Sequence, residues 1–188
     1  MGRWQPGTRD RLRAAAIDLF VRQGYEQTTT AEIAAAGGVT ERTFFRHFAD
    51  KREVIFAGQE DFVGLFVDGI VRAPDGRTPM ELAAAALEAS AAFFPDEHRD
   101  YARRRMEVVT TNPALQEREL LKMAGLGAAV AQALRARGIT EPQATLAAQS
   151  AVTVFGVAFR TWTTEGETRS LAEIEREVMG ELGAVTAG

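Results

Sequence analysis

A short stretch of the chain, residues 29–51, combines side chains that could recognise duplex DNA. Threonine, histidine and lysine donate hydrogen bonds to phosphate oxygens, and such contacts position a protein on the duplex without reading its sequence. Arginine donates in pairs to the major-groove acceptors of guanine, and an aromatic ring contacts the methyl group of thymine. The predicted DNA-contacting residues are Thr29, Thr30, Glu41, Arg42, Thr43, Phe45, His47 and Lys51.

The elements that must position these side chains form a predicted helix-turn-helix over residues 29–48, with a Gly-Gly turn between two short helices. Helical periodicity turns Phe44 and Phe48 toward a small core. Arg42 and Phe45 then lie on the outward face of the second helix, which is the helix that enters the major groove in such a motif. The rest of the core is predicted from Ile17, Leu19, Phe20, Ile33, Ala34 and Val39.

Two of the predicted contacts, His47 and Lys51, have more than one interpretation. His47 taken alone is an ordinary histidine on a helix surface, and its place in the motif favours a phosphate contact. Lys51 begins the next predicted helix, where free backbone amides could also hold a phosphate.

The charge of the chain is unevenly distributed. The formal net charge is −4, but residues 1–52 carry nine Lys or Arg against six Asp or Glu, whereas residues 53–188 carry 13 against 20. A basic part joined to an acidic body is typical of a DNA-reading module attached to a regulatory or oligomerising body. A chance fluctuation on a solvated surface is the alternative interpretation.

Several classes of protein are disfavoured by the composition. Without cysteine there is no disulfide, thiolate metal site or thiol nucleophile. The two histidines, His47 and His98, lie far apart, and the serines lack the strand-turn-helix setting of a hydrolase nucleophile. We therefore expect no enzyme activity, no metal and no cofactor. Because neither a signal-like N-terminus nor a long apolar run occurs, we expect a cytoplasmic protein without membrane contact.

Helical periodicity extends along the whole chain, and capping residues mark the boundaries. A cap followed three residues later by glutamate occurs at Thr29, Asp50, Thr78 and Ser170. We predict an all-α protein with an N-terminal three-helix helix-turn-helix domain over 1–50 and a helical C-terminal domain over 51–188. The nine predicted helices span residues 8–23, 30–36, 41–47, 51–72, 79–94, 97–110, 113–137, 141–165 and 171–184.

The N-terminal motif is specific enough to compare with known families. Its residues are Gly24-Tyr25, Thr28-Thr29-Thr30-Ala31-Glu32-Ile33-Ala34, Gly38-Val39-Thr40-Glu41-Arg42-Thr43-Phe44-Phe45-Arg46-His47-Phe48 and Lys51. In this combination they resemble the TetR (tetracycline-repressor) family over residues 8–56. The resemblance implies a homodimer and a C-terminal ligand-binding and dimerisation domain whose small-molecule ligand relieves repression. The DNA contacts that it implies are Thr29 or Thr30, Glu41, Arg42, Thr43, Phe45, His47 and Lys51. The family often has tyrosine where Phe45 and His47 stand, so one hydroxyl contact to phosphate is missing or replaced by imidazole.

Large apolar side chains in the C-terminal part have two interpretations, a packed core or the lining of a roomy pocket among the helices. Arg105 beside Tyr101 could meet a ligand carboxylate or phosphate, or form a salt bridge between helices. An apolar lining favours a hydrophobic inducer, either an acyl chain or an aromatic compound. The predicted ligand-binding residues are Phe62, Phe66, Phe93, Tyr101, Arg105, Met106, Met123, Phe155, Phe159 and Trp162, and Phe94 belongs to the same apolar set.

The eighth and ninth predicted helices, 141–165 and 171–184, carry an apolar stripe that a monomer would leave partly uncovered. We therefore expect a homodimer through helices 8 and 9. Two-fold symmetry then predicts a palindromic operator and two reading heads about one helical turn, ~34 Å, or a little more apart. The stripe comprises Ala147, Ala148, Ala151, Val152, Phe155, Phe159, Leu171, Ile174, Val178 and Leu182.

The long predicted helix over 51–72 joins both domains, and we expect a ligand to tilt it and so change the spacing of the two heads. Two other functional classes remain open. One is a DNA-binding protein without a ligand, which acts constitutively or through a protein partner. The other is an enzyme or a helical interaction module in which the N-terminal motif is fortuitous.

Overall fold

The structure of the chain, a computed structural model, describes residues 7–187. Over these residues it is all-α, as predicted, with ten α-helices, a short 3-10 turn at Asp96–His98 and no strand. Residues 1–6 of the predicted domain 1–50 lie outside the described residues. The helices are α1 (Thr8–Gln23), α2 (Thr30–Ala36), α3 (Glu41–His47), α4 (Lys51–Phe56), α5 (Gln59–Arg72), α6 (Pro79–Ala91), α7 (Arg99–Thr110), α8 (Pro113–Ala136), α9 (Gln143–Trp162) and α10 (Leu171–Ala187).

The main departure from the predicted helices is an interruption within residues 51–72. α4 ends at Phe56, Ala57 is extended, and Gly58 adopts a φ of +85° before α5 begins at Gln59. A left-handed residue cannot continue a right-handed helix, so two helices replace one. The prediction of one continuous helix over residues 51–72 is therefore wrong.

Side-chain caps begin three of the helices as predicted. Thr29, Thr78 and Ser170 each accept a hydrogen bond from the backbone N–H of the glutamate three residues later. The glutamate in turn accepts from the backbone N–H of the cap. This reciprocal pairing satisfies backbone donors that a helix start otherwise leaves without a partner.

The described residues divide into two compact units. The N-terminal unit contains the described residues up to Ala57 together with Tyr101–Arg118, and the C-terminal unit contains Gly58–Asp100 and the described residues from Glu119 onward. α7 and α8 therefore each contribute residues to both units. The division at residues 50 and 51 concerns function and stays a prediction.

The core of the N-terminal unit joins α1 to α4 with the end of α7 and the start of α8. Two polar contacts strengthen the same assembly. Arg104 Nη2 lies 2.6 Å from Asp18 Oδ1, and Asn112 Nδ2 donates a hydrogen bond to Glu26 Oε1 at 3.0 Å. Burial of apolar surface supplies most of the favourable free energy of such a core. Its central residues are Leu12, Ile17, Phe20, Ile33, Phe44, Phe48, Val54, Val108 and Leu115.

In the C-terminal unit, α5 packs against α6, α6 packs against α9, and α10 packs against both α6 and α9. The backbones of α5 and α6 approach most closely at Gly69. A Cβ atom at Gly69 would lie 2.9 Å from the Cα atom of Ala86 and closer still to the carbonyl oxygen of Ala85. Glycine is the residue that lets the two helices meet at this point, because any side chain would force them apart.

The apolar stripe predicted on the last two helices is mostly covered within a single chain. α9 and α10 pack against each other and against α6, which removes most of the stripe from water. Val152, Val178 and Leu182 stay half-buried, so the stripe is partly uncovered, and a homodimer through these two helices stays a prediction. The large apolar residues that are exposed on these helices are Leu146, Val157 and Val185. The stripe residues with 8% exposure or less are Ala147, Ala148, Ala151, Phe155, Phe159, Leu171 and Ile174.

Replacing Gly69 with alanine is expected to lower the free energy of unfolding by roughly 1 to 3 kcal/mol, because the added methyl group separates two packed backbones. Gly64→Ala is the matched control on the same helix, since a Cβ atom there meets nothing within 4 Å. That control is expected to gain about 0.5 to 1 kcal/mol from the better helix propensity of alanine. Chemical denaturation compares the two variants, and equal stabilities would contradict the close approach at Gly69.

Candidate nucleic-acid interface

The turn between α2 and α3 is set by two glycines and a threonine cap. Gly37 is buried, and a Cβ atom there would lie 2.8 Å from Cδ2 of Leu12. Gly38 adopts a φ of +71°, a left-handed conformation that glycine tolerates best. Thr40 then accepts a hydrogen bond from the backbone N–H of Thr43 at 3.2 Å, which caps the start of α3. These contacts determine the direction in which α3 leaves the turn.

α3 has a buried face and an exposed face, as predicted. Phe44 and Phe48 are 0% and 1% exposed, and their ring centroids lie 5.6 Å apart. Phe45 is 51% exposed, and Arg42, three residues earlier on the same helix, is also exposed. Burying an exposed aromatic ring against another surface lowers the free energy, so this ring favours contact with a partner. The prediction that Arg42 and Phe45 face outward is confirmed.

The predicted DNA-contacting threonines are tied to their neighbours by hydrogen bonds. Thr29 caps α2, and the hydroxyl of Thr43 lies 3.0 Å from that of Thr40. The hydroxyl of Thr30 donates to Glu41 Oε1 at 2.5 Å. This last bond joins the first turn of α2 to the first turn of α3, and so it holds two of the predicted residues together at one surface.

Two further basic side chains are exposed in the last turn of α3, His47 and Arg46. Arg46 is four residues beyond Arg42, so both arginines lie on the same side of the helix. The sequence-based set of DNA contacts omitted Arg46. Its spacing from Arg42 was the signal that could have identified it.

The ammonium group of Lys51 is engaged within the protein. It donates hydrogen bonds to the backbone carbonyl oxygens of Tyr25, Glu26 and Thr28 at 2.8, 3.2 and 3.1 Å. It also lies 4.4 Å from the centroid of the Tyr25 ring. An ammonium group has three N–H bonds, so three carbonyls account for its donors and fasten the loop between α1 and α2. Burial, with the negative charge of Asp50, raises the pKa of Tyr25 to about 12.

The backbone amides at the start of α4 also have partners. The carboxylate of Asp50 accepts hydrogen bonds from the backbone N–H groups of Arg52 and Glu53 at 2.8 and 2.9 Å. Burial raises the pKa of Asp50, but the hydrogen bonds from the Arg52 side chain and from these amides outweigh it and hold the pKa below its ordinary value. The prediction of free amides for a phosphate is wrong here, because a carboxylate of the protein occupies them.

Three of the predicted ligand-binding residues belong to the N-terminal unit. Tyr101 packs against the core of that unit, with the guanidinium of Arg13 5.4 Å from its ring centroid. Arg105 Nε donates a hydrogen bond to the carbonyl oxygen of Ile55 at 3.0 Å, and Met106 is half-buried. Tyr101 and Arg105 therefore contribute to the packing of α7 on α1 and α4. The other seven belong to the C-terminal unit.

Six of those seven residues join Phe94 in one aromatic cluster of the C-terminal unit. Phe94 is central to it, with ring centroids 4.9 Å from Phe159 and 6.0 Å from Trp162. Phe62 and Phe155 are 5.1 Å apart, and most of the ring pairs are tilted or edge-to-face, the arrangement that aromatic rings prefer. Met123 on α8 is half-buried. We define the aromatic cluster as Phe62, Phe66, Phe93, Phe94, Phe155, Phe159 and Trp162.

Metal binding and membrane spanning find no support in residues 7–187. Over this part of the chain, no group of three or more His, Asp or Glu side chains could hold a metal ion. No helix there is long and apolar enough to cross a bilayer.

Two family patterns match the chain in succession. Residues 12–57 match the pattern described as bacterial regulatory proteins, tetR family. Residues 77–187, more than half of the chain, match the pattern described as the MftR C-terminal domain. The chain belongs to the TetR family. Proteins of the TetR family are DNA-binding transcriptional regulators and not enzymes.

Other TetR-family regulators are similar to this chain over different lengths. It is 42% identical over 82 residues to the HTH-type transcriptional regulator TcmR of Streptomyces glaucescens, which covers 44% of this chain and 36% of TcmR. It is 25% identical over 158 residues to the regulator MftR of Mycobacterium tuberculosis, which covers 84% of this chain and 79% of MftR. The chain thus matches little more than a third of the length of TcmR and most of MftR.

Solved TetR-family structures share the fold. FadR of Thermus thermophilus, a TetR-family repressor solved in complex with lauroyl-CoA, is 23% identical with a TM-score of 0.57, over 93% of this chain and 92% of that one. A TetR-family regulator of Syntrophomonas wolfei is 17% identical with a TM-score of 0.67, over 96% and 95%. At these identities the likeness establishes the helical architecture alone.

Replacing Lys51 with methionine is expected to lower the free energy of unfolding by about 2 to 3 kcal/mol, because charge-assisted hydrogen bonds to the loop carbonyls are lost. Thermal unfolding is expected to shift down by several degrees in consequence. Arg52→Met is the neighbouring control: its guanidinium pairs with Asp50 at the surface, and no measurable change in stability is expected. Equal unfolding midpoints for both variants would show that the ammonium does not hold the loop.

Proposed function

We propose that this TetR-family chain is a dimeric, ligand-responsive transcriptional repressor of the cytoplasm, which binds a palindromic operator and is released by a small hydrophobic inducer. The observation that carries the DNA-binding part is the outward face of α3. With Phe44 and Phe48 buried, an exposed ring at Phe45 and an exposed guanidinium at Arg42 remain for the major groove. These are the groups that contact thymine methyls and guanine acceptors.

In this proposal Arg42 and Phe45 contact bases, and the polar residues around them contact phosphates. Arg46 joins the phosphate contacts because it is exposed on the same side of α3. Glu41 and Lys51 act through neighbouring groups, because a phosphate would repel the carboxylate of Glu41 and because three loop carbonyls account for all three N–H donors of the Lys51 ammonium. The residues assigned to phosphates are Thr29, Thr30, Thr43, Arg46 and His47.

Arg42→Ala is expected to weaken binding to the operator by roughly 5- to 150-fold, because a bidentate contact to guanine is lost. Binding to unrelated DNA is expected to change much less, and the unfolding midpoint is expected to stay the same because the side chain is exposed. Footprinting on the DNA beside its own gene would first define the operator. Fluorescence anisotropy with operator and unrelated duplexes, each at several salt concentrations, then measures both affinities.

Two controls separate base reading from charge. Arg42→Lys keeps the positive charge without the paired donors, so it is expected to bind unrelated DNA as the unchanged protein does but to keep the operator defect of Arg42→Ala. Arg72→Ala removes an exposed arginine of α5, and its operator affinity is expected to equal that of the unchanged protein. An Arg42→Lys variant with full operator affinity would argue against base reading by Arg42.

A homodimer through α9 and α10 is part of the proposal. Leu146 and Val157 are 64% and 36% exposed. They are separated by about three helical turns, so they lie on one side of α9, and a second copy would remove them from water. A two-fold axis then places two α3 helices on half-sites about one turn of DNA, ~34 Å, apart, which is why we propose a palindromic operator.

The aromatic cluster is the proposed site of the inducer. Its rings offer an apolar surface within the C-terminal unit, and a ligand that enters must displace ring-to-ring contacts such as that of Phe94 with Phe159. The complex of the Thermus FadR with lauroyl-CoA supports an acyl compound as the first candidate. α7 and α8 contribute residues to both units, and we propose that they carry the coupling. A coupling free energy of about 1 to 3 kcal/mol would suffice for a switch.

Lauroyl-CoA is expected to lower operator affinity at least fivefold, in the range that such coupling allows, whereas free CoA is expected to leave it unchanged. The same titration should change the fluorescence of Trp162, which is fully buried among the rings of the aromatic cluster. A Trp4→Phe background isolates this signal, because the chain has two tryptophans. Release from DNA without a change at Trp162 would place the inducer elsewhere, and a change at Trp162 without release would reject the coupling.

A further inference from the structure

A cavity in the C-terminal unit lies between α6 and α10 and is lined by none of the predicted ligand-binding residues. Its volume is about 230 Å³. Its walls are formed by the apolar residues Ala84 and Leu87 of α6 and Ala172 and Met179 of α10. A cavity of this size accommodates a ligand smaller than a typical drug molecule, for which pockets start near ~300 Å³.

The carboxyl group of Glu175 lines this cavity, although Glu175 is only 3% exposed. Both of its oxygens are buried and have no hydrogen-bond partner. A buried carboxyl group without a partner costs free energy, and such groups in native proteins are normally paired. Burial raises the pKa of Glu175 to about 8, so the group is mostly protonated at neutral pH while it lacks a partner.

The charged groups around the cavity are few. Glu88 of α6 and Arg176 of α10 line it, and both side chains are exposed. Arg176 Nε donates a hydrogen bond to the backbone carbonyl oxygen of Ala172 at 3.2 Å. α9, which packs against both helices, has a single charged residue, Arg160, and it is exposed. The charges of Glu88 and Arg176 offset each other, so the buried carboxyl group of Glu175 decides the preference, and a cation that can pair with its carboxylate is favoured over an anion.

We propose that this cavity is a binding site for a small organic amine, whose ammonium group pairs with the buried carboxylate of Glu175 while its apolar body lies against Leu87 and Met179. Pairing with a cation satisfies both oxygens of Glu175 and offsets the cost of their burial. The ammonium displaces the proton of the carboxyl group, so binding at neutral pH releases a proton to solvent. A neutral alcohol of the same shape gains the apolar contacts but no ion pair.

Benzylamine and benzyl alcohol test this proposal on the full chain. Titration calorimetry at pH 7 in two buffers of different ionisation enthalpy is expected to show benzylamine binding at least tenfold tighter than benzyl alcohol. It should also show release of about one proton for each amine bound. Methionine-methyl NMR locates the ligand, because the resonance of Met179, assigned with Met179→Leu, should shift. Equal binding of the alcohol, no detectable amine binding, or no response at Met179 would each overturn the proposal.

Three variants complete the test. Glu175→Gln keeps the shape of the protonated side chain and is expected to lose at least tenfold in amine affinity, together with the proton release. Glu181→Gln, an exposed glutamate of the same helix, is the matched control and should bind as the unchanged protein does. Ala84→Leu fills the cavity and leaves Glu175 in place, and it should abolish binding. Unchanged affinity in Glu175→Gln or in Ala84→Leu would overturn the proposal.

Discussion

Burial of two phenylalanines, Phe44 and Phe48, is the constraint on which the DNA-binding part of the molecule depends. Their rings face the core of the N-terminal unit, and the geometry of an α-helix then dictates which neighbours face water. Arg42 and Phe45 are exposed for that reason and not because any residue holds them outward. The glycine turn and the Thr40 cap matter because they fix where α3 begins, and so which of its residues are turned inward.

Helix boundaries could be predicted closely where the signals are local. Caps act over three residues, and α1, α2 and α3 have the predicted limits, with reciprocal caps at Thr29, Thr78 and Ser170. The interruption at Ala57 and Gly58 could not be inferred in the same way. Periodicity continues across it, and the left-handed conformation of Gly58 accompanies a tertiary neighbour, since a Cβ atom there would lie 3.2 Å from the ring of Phe93. Such a neighbour is invisible to a local pattern.

In the candidate sites too, features set by local periodicity could be predicted, and features set by tertiary contacts could not. The outward face of α3 follows from periodicity, and it was predicted. The partners of Lys51 depend on how residues 25–28 fold back, so a residue expected to bind phosphate is found among three carbonyls. The apolar stripe of α9 and α10 was recognised as a stripe, but which surface covers it is decided by packing on α6. The isolation of Glu175 likewise requires knowledge of every neighbouring element, because it is defined by partners that are missing from its surroundings.

The scarcity of lysine has a practical consequence for work with this protein. The chain has two lysines, at positions 51 and 122, and both ammonium groups lie over aromatic rings, 4.4 Å from Tyr25 and 5.1 Å from Phe62. An acylating reagent that reached Lys51 would convert a charged group with three donors into a neutral amide with one. It would thereby release two of the loop carbonyls next to α2. Random coupling through amines to a dye or a sensor surface therefore risks damage to the region that it is meant to report on, and attachment through a terminal tag avoids it.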